Sequence, residues 1–316
     1  MAKAEKKKRP KKAAGTAGRT RRLTKKQQRA KAKTEVRKRS PVIGSFRLTK
    51  KVLLLLRRHW KPLGGIVLVY LILNIIFASG ISNISSNFDT IKADLKSNGG
   101  HGLWHAAGGF ASLVGSSGAS SSTTGSALQS VLFVLESLVI IWALRHLLSA
   151  QAFTVKLAWY RAMAPLIPFL LVLFWIIIQL LPITIGGVVL AIVSSSIFTS
   201  TGLATAISIM VFVLLAAWSV YMVSASIFAL YIVTLPDMEP RQALRAARDL
   251  VRFRRLTVIR RVFFMPIFIF VVMGLIIVPL IIYASRIVPA VFYILSMLAI
   301  LFFHSYLYSL YRELLE

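Results

Sequence analysis

Six segments of the 316-residue chain, 63–80, 127–148, 164–193, 203–235, 262–284 and 287–310, are apolar almost throughout. Each is about as long as a helix needs to cross a hydrocarbon core of about 30 Å. In lipid, every backbone N–H and C=O must be satisfied within the segment, so the only structure such runs can form one by one is an α-helix. The sequence therefore predicts an all-α fold, a polytopic transmembrane helical bundle with six spans. Composition agrees: 57% of residues are hydrophobic, only 16% are charged, and mean hydropathy is +0.73. A soluble globular domain is about a quarter charged. With no cysteine, disulfide frameworks, thiolate metal sites and cysteine nucleophiles are excluded.

Charge fixes the orientation. The chain carries 39 Lys and Arg against 10 Asp and Glu; the first 61 residues hold 24 of the basic ones with only Glu5 and Glu35 against them. Dividing 164–235 into three spans would give seven in all and carry the Arg-rich stretch 241–261 to the outside, against the positive-inside tendency, so six is preferred. Both termini are then cytoplasmic, together with the 151–161 connector and Arg312, and the protein is expected in a bacterial cytoplasmic membrane. The sizeable outer connector is 81–126, whose end, 115–126, is almost entirely Gly, Ser and Thr and reads as a flexible linker. The third segment, about 45 Å long as a helix, should tilt, project, or break near Pro182, Gly186 and Gly187.

Residues 1–45 read as a disordered polybasic cytoplasmic tail, because 1–40 holds too little apolar surface to offset the entropy of ordering. It lacks the apolar core of a secretory signal. Its charge suits anionic lipid, or nonspecific nucleic acid or ribosome contact by counterion release; without an aromatic residue before Phe46, base stacking is not available to it. The runs 6–12 and 19–33 resemble nuclear import signals, and Asn83-Ile84-Ser85 is a glycosylation sequon; both matter only in a eukaryote.

Residues 46–61 wind into an amphipathic helix. Arg47, Lys50, Lys51, Arg57, Arg58 and Lys61 fall within about 120° of arc, while Phe46, Leu48, Val52, Leu53, Leu55, Leu56 and Trp60 lie opposite. It should lie at the membrane interface and close at Pro62. A second cytoplasmic helix is expected over 240–256, with Asp237 and Glu239 at its positive end and Pro240 in its first turn. Arg241, Arg245, Arg248, Arg252 and Arg255 recur at spacings of four and three, forming one stripe that offers guanidinium groups to lipid phosphates or an acidic partner. A stripe that merely fixes topology is the plainer reading.

The same stretch carries a resemblance. Ala243, Leu244, Arg245, Leu250, Val251, Arg252, Arg254 and Arg255, between two late spans of a six-span chain, resemble bacterial integral membrane families, notably the membrane domain found beside glycerophosphodiester phosphodiesterases. The resemblance implies a helical membrane module over about residues 50–316, without known chemistry, and leaves the tail unexplained. Ala247, Phe253 and Leu256 depart from its pattern, which often has Ser, Gly and Trp there; Asp249 keeps it.

Within the spans, Glu136 sits near mid-membrane, where an acid is costly and so a functional candidate. Asn74 and Gln179 are companions at comparable depth. The cluster reads either as hydrogen-bonded helix packing or as the ion site of a transporter. Arg145 is expected to snorkel to the interface, and His304, among Phe302, Phe303, Tyr306, Tyr308 and Tyr311, to belong to an interfacial aromatic belt. His101 and His105 have helical ligand spacing, but Gly102 stands where a metalloprotease has its Glu. The Gly115-to-Gly118 serines echo an intramembrane protease motif without a fixed base. No cofactor or metal is expected, and the chain reads as a non-enzymatic, lipid-interacting or membrane-organising module, with a transporter as the alternative.

Overall fold

The computed structural model describes residues 43–78, 123–197, 202–236, 238–252 and 254–315, all helix and connecting turn with no strand among them. In chain order the helices are α1 (Ser45–Arg58), α2 (Trp60–Ala78), α3 (Thr123–Leu148), α4 (Val155–Ala162), α5 (Leu166–Ile197), α6 (Gly202–Ser226), α7 (Ala229–Ile232), α8 (Pro240–Val251), α9 (Arg255–Tyr283) and α10 (Val288–Leu315). Six stretches are long and apolar enough to cross a membrane, namely α2, α3, α5, α6 continued through α7, α9 and α10. The chain is thus a multi-pass membrane protein. The tail 1–40 and most of the outer connector lie outside the described residues.

Consecutive spans pack in pairs, α2 on α3, α5 on α6 and α9 on α10, the last two joined by the short connections that antiparallel neighbours favour. The last span organises the bundle: α10 packs against α1, α2, α3, α8 and α9. Its inward residues include Phe292, Tyr293, Met297, Tyr306 and Leu310, each at most 1% exposed. The α5–α6 hairpin is peripheral, and Phe174, Ile209 and Trp218 face outward where lipid would be.

Several boundaries depart from the sequence expectation. Thr123 to Ser126 are the first turn of α3 rather than linker, since once an apolar run nucleates a helix, adding a preceding turn forms one hydrogen bond per residue fixed. The amphipathic helix stops at Arg58, and Pro62 sits in the first turn of α2, where its missing N–H is no loss. The Arg-rich helix ends at Val251, five residues early, because Arg255 already opens α9.

The third span does not break at Pro182. α5 runs unbroken for 32 residues, about 48 Å at the usual rise. Two residues beyond the proline, the Thr184 hydroxyl donates to the carbonyls of Leu181 (3.1 Å) and Leu180 (3.4 Å). Gly186 and Gly187 are a packing notch rather than a hinge. A β-carbon on Gly186 would collide with Leu215 of α6, and one on Gly187 would press on Phe212 at 3.4 Å. Small residues at such a crossing let two membrane helices approach closely.

Candidate functional site: a buried polar core and a basic end

α3 and α10 pack against each other, and the polar residues they carry at that contact are buried. Glu136 of α3 and Asn74 of α2 are each fully buried. Tyr70, one turn from Asn74 on α2, lies beside Asn74 and within electrostatic range of both Glu136 and Tyr293 of α10. The Asn74 amide donates to the Tyr70 carbonyl at 3.3 Å. Both carboxyl oxygens of Glu136, Oδ1 of Asn74 and the hydroxyl of Tyr293 have no hydrogen-bond partner among the described residues. Buried polar atoms are nearly always paired, so this cluster holds unsatisfied capacity for a proton, a water or a small cation.

Gln179 does not join it. Its amide, oriented so that both ends are satisfied, donates to the Met222 carbonyl at 3.2 Å and accepts from Trp175 Nε1 at 2.8 Å, with the Ser226 hydroxyl at 2.9 Å. The residue therefore clips α5 to α6. The expectation of one site containing Glu136, Asn74 and Gln179 is corrected to two separate clusters.

One residue beyond Glu136, a hydrogen-bonded chain crosses the bundle that sequence reasoning missed. His304 of α10 contacts the Ser137 hydroxyl of α3 through Nε2 (3.0 Å) and the Tyr231 hydroxyl of α7 through Nδ1 (3.2 Å). Tyr231 also stacks on Tyr311 with ring centroids 6.3 Å apart. The aromatic-belt reading is overturned for these residues, because Tyr306, Tyr308, Tyr311 and His304 are all buried in the bundle. Their neighbours in sequence are aromatic because α10 is enclosed on several sides. Only the pairing of α10 with α3 and α7 shows it.

Arg145, half-buried near the end of α3, is tied down by hydrogen bonds. Its guanidinium donates to the Thr234 carbonyl at 2.7 Å and to the Thr234 hydroxyl, tying the end of α3 to the segment leaving α7. Arg261 of α9, which no sequence feature singled out, is 5% exposed and lies within electrostatic range of Tyr306 and Glu313. Its neighbour Arg260 is exposed. Adjacent helical positions lie 100° apart, so an Arg pair divides between bundle and surroundings.

The basic residues gather at one end of the bundle. α1 packs on α10, where Lys51 Nζ pairs with Glu313 at 2.6 Å. Leu48 and Val52 are buried against the bundle, while Phe46 and Leu53 remain exposed, so the apolar arc of α1 is divided between protein and surroundings. Lys50, Lys51, Arg57, Arg58 and Lys61 are all exposed. On α8, Ala243, Ala247 and Val251 are buried against the bundle, and Arg241, Arg245 and Arg248 point away from it, as does Arg252 at its end. Arg255 leaves the stripe: it belongs to α9, and its guanidinium lies 4.5 Å from the centroid of the Tyr221 ring on α6, a cation–π contact.

Among the described residues no group of three His, Asp or Glu side chains is placed to hold a metal. His101, His105 and the 115–118 serines lie outside the described residues, as does Asp237. No protein family, curated protein or solved structure matches the chain, so these comparisons add nothing to the resemblance carried by 243–255.

Proposed function

We propose that this is a non-enzymatic membrane protein that interacts with anionic lipid and organises the membrane surface through its basic end. That end faces the cytoplasm of a bacterial cell in this reading, with both termini inside, as the positive-inside tendency requires. The observation that carries the proposal is the division of α8: Arg241, Arg245, Arg248 and Arg252 are exposed while the opposite face is packed on the bundle. An arginine held near an anionic leaflet contributes about 1 kcal/mol, and the exposed basic residues of α1 add to the same surface. The charge of the tail 1–40 suits the same anionic lipid or, nonspecifically, nucleic acid.

The test uses protein reconstituted in zwitterionic nanodiscs and offered anionic vesicles at rising salt. Replacing the four exposed arginines of α8 by Gln should weaken recruitment at least tenfold at low salt and flatten its salt dependence; deletion of 1–40 should do the same without unfolding the body. Recruitment unchanged in both variants would sink the proposal.

A second reading, an ion-coupled transporter, is favoured by one specific observation, the unpartnered oxygens of Glu136 beside Asn74 and Tyr293. It loses the support of a broken third span and of Gln179, both of which the packing assigns elsewhere. Flux through proteoliposomes decides it: a pH-driven flux abolished by Glu136→Gln in a folded protein would establish transport.

A further inference from the structure

The turn that ends α3, the end of α4, the start of α5 and the segment leaving α7 line an open cavity of about 940 Å³, at the upper end of the volumes that hold small organic ligands. Its place in the membrane follows from the spans that border it. The second span ends at Leu148, the third begins at Leu166 and the fourth ends at Ile232, so the cavity opens where hydrocarbon gives way to headgroups. Its wall is apolar at Trp142, Val233, Leu235 and Met238, and its cations are Arg145, Arg161 and, when protonated, His146.

These cations are arranged for an oxyanion. Arg145 is held by its two hydrogen bonds to Thr234, which fix the guanidinium and leave other N–H groups of its five for a ligand. His146 lies stacked on Trp142 at 3.6 Å with Nδ1 3.0 Å from the Trp142 carbonyl, so Nε2 is the nitrogen left for an incoming group. Arg161, exposed at the end of α4, supplies a second planar fork, the geometry that suits phosphate oxygens. Among the described residues the acid lining the cavity is Glu239, with Gln242 Nε2 3.5 Å from its carboxylate.

We propose that this cavity binds a phosphate group, with the apolar wall receiving the glycerol and acyl carbons of an anionic phospholipid. The inference rests on the reading of this end as the membrane surface, and it makes Arg145, His146 and Arg161 a defined site distinct from the outward arginines of α8.

The experiment is native mass spectrometry of the full chain released from detergent with short-chain phosphatidylglycerol, with phosphatidylcholine of equal chain length, and with inorganic phosphate as competitor. Phosphatidylglycerol should be retained in preference to phosphatidylcholine. Arg161→Gln should lower that retention about fivefold, the worth of one basic contact, and Arg145→Lys, which keeps the charge but loses the fork, should lower it too. Arg286→Gln, at the opposite end of the bundle, serves as the control and should change nothing. Retention that millimolar phosphate does not displace identifies the lipid as the source; displacement, lost in Arg161→Gln, identifies the free oxyanion. Equal retention of both lipids, with no displacement and no effect of either variant, overturns the site. Vesicle recruitment through α8 would survive that outcome, so the two proposals fail separately.

Discussion

The second and sixth spans bury 50% and 44% of their apolar windows inside the bundle, whereas the third and fourth bury 22% and 11% although they are the more apolar pair. In water the order would be reversed, because apolar surface is driven inward. In a bilayer the acyl chains solvate leucine as well as another leucine does, so packing and polar contacts decide which helices are enclosed. The enclosed pair carries Glu136, Ser137, Ser296, His304 and Ser305, all buried. The peripheral pair keeps Gln179 and Ser226 at its own seam.

Substitution can break that contrast. The largest effect is expected from Phe292→Ala on α10, fully buried, which should cost about 3–5 kcal/mol through the cavity it leaves. Phe174→Ala on α5, 60% exposed, should stay within about 0.5 kcal/mol. Reversible unfolding in mixed micelles measures both, and comparable losses would erase the distinction between the two pairs. The polar contacts should give a smaller difference. His304→Leu strands the Tyr231 hydroxyl inside the bundle, leaving Ser137 its bond to the Phe133 carbonyl, and should cost about 1–3 kcal/mol, while Gln179→Leu should cost about 0.6–1.7 kcal/mol, the range of interhelical hydrogen bonds in membranes. A double-mutant cycle of His304 with Ser137 isolates the pair, and zero coupling would remove the hydrogen-bonded chain from the account. The smallest effect belongs to Lys51→Ala. The ion pair with Glu313 is made by a lysine that is 58% exposed, so its loss should cost no more than about 1 kcal/mol and should shrink further in high salt.

Parts of the buried core were legible in the chain. Glu136 and Asn74 stood out because polar residues inside apolar runs are conspicuous, and they do lie around the same tyrosine. Gln179 stood out for the same reason, yet it serves the α5–α6 seam. His304 was seen but misread, and the clamp on Arg145 gave no signal, since their contacts are with Tyr231 and Thr234, which come from a different part of the chain. Arg261 gave no signal, because its burial depends only on which way one face of α9 is turned.

The sequence by itself determined that six helices are available to cross a membrane and that charge accumulates at one end of the chain and in one late connector. Both are local properties: a run of about 20 apolar residues meets the bilayer requirement whatever its neighbours do, and charge sums without regard to contacts. Tertiary structure alone decided that Pro182 stays inside a continuous helix, that Gly186 and Gly187 admit Leu215 and Phe212, and that Arg145 is clamped beside a cavity rather than extended to solvent. The reason is common to all three. In lipid the apolar faces of a helix are nearly equivalent to the solvent, so helix pairing is written in shape and in a few polar contacts between residues far apart in the chain, and it is the pairing that gives each of them its role.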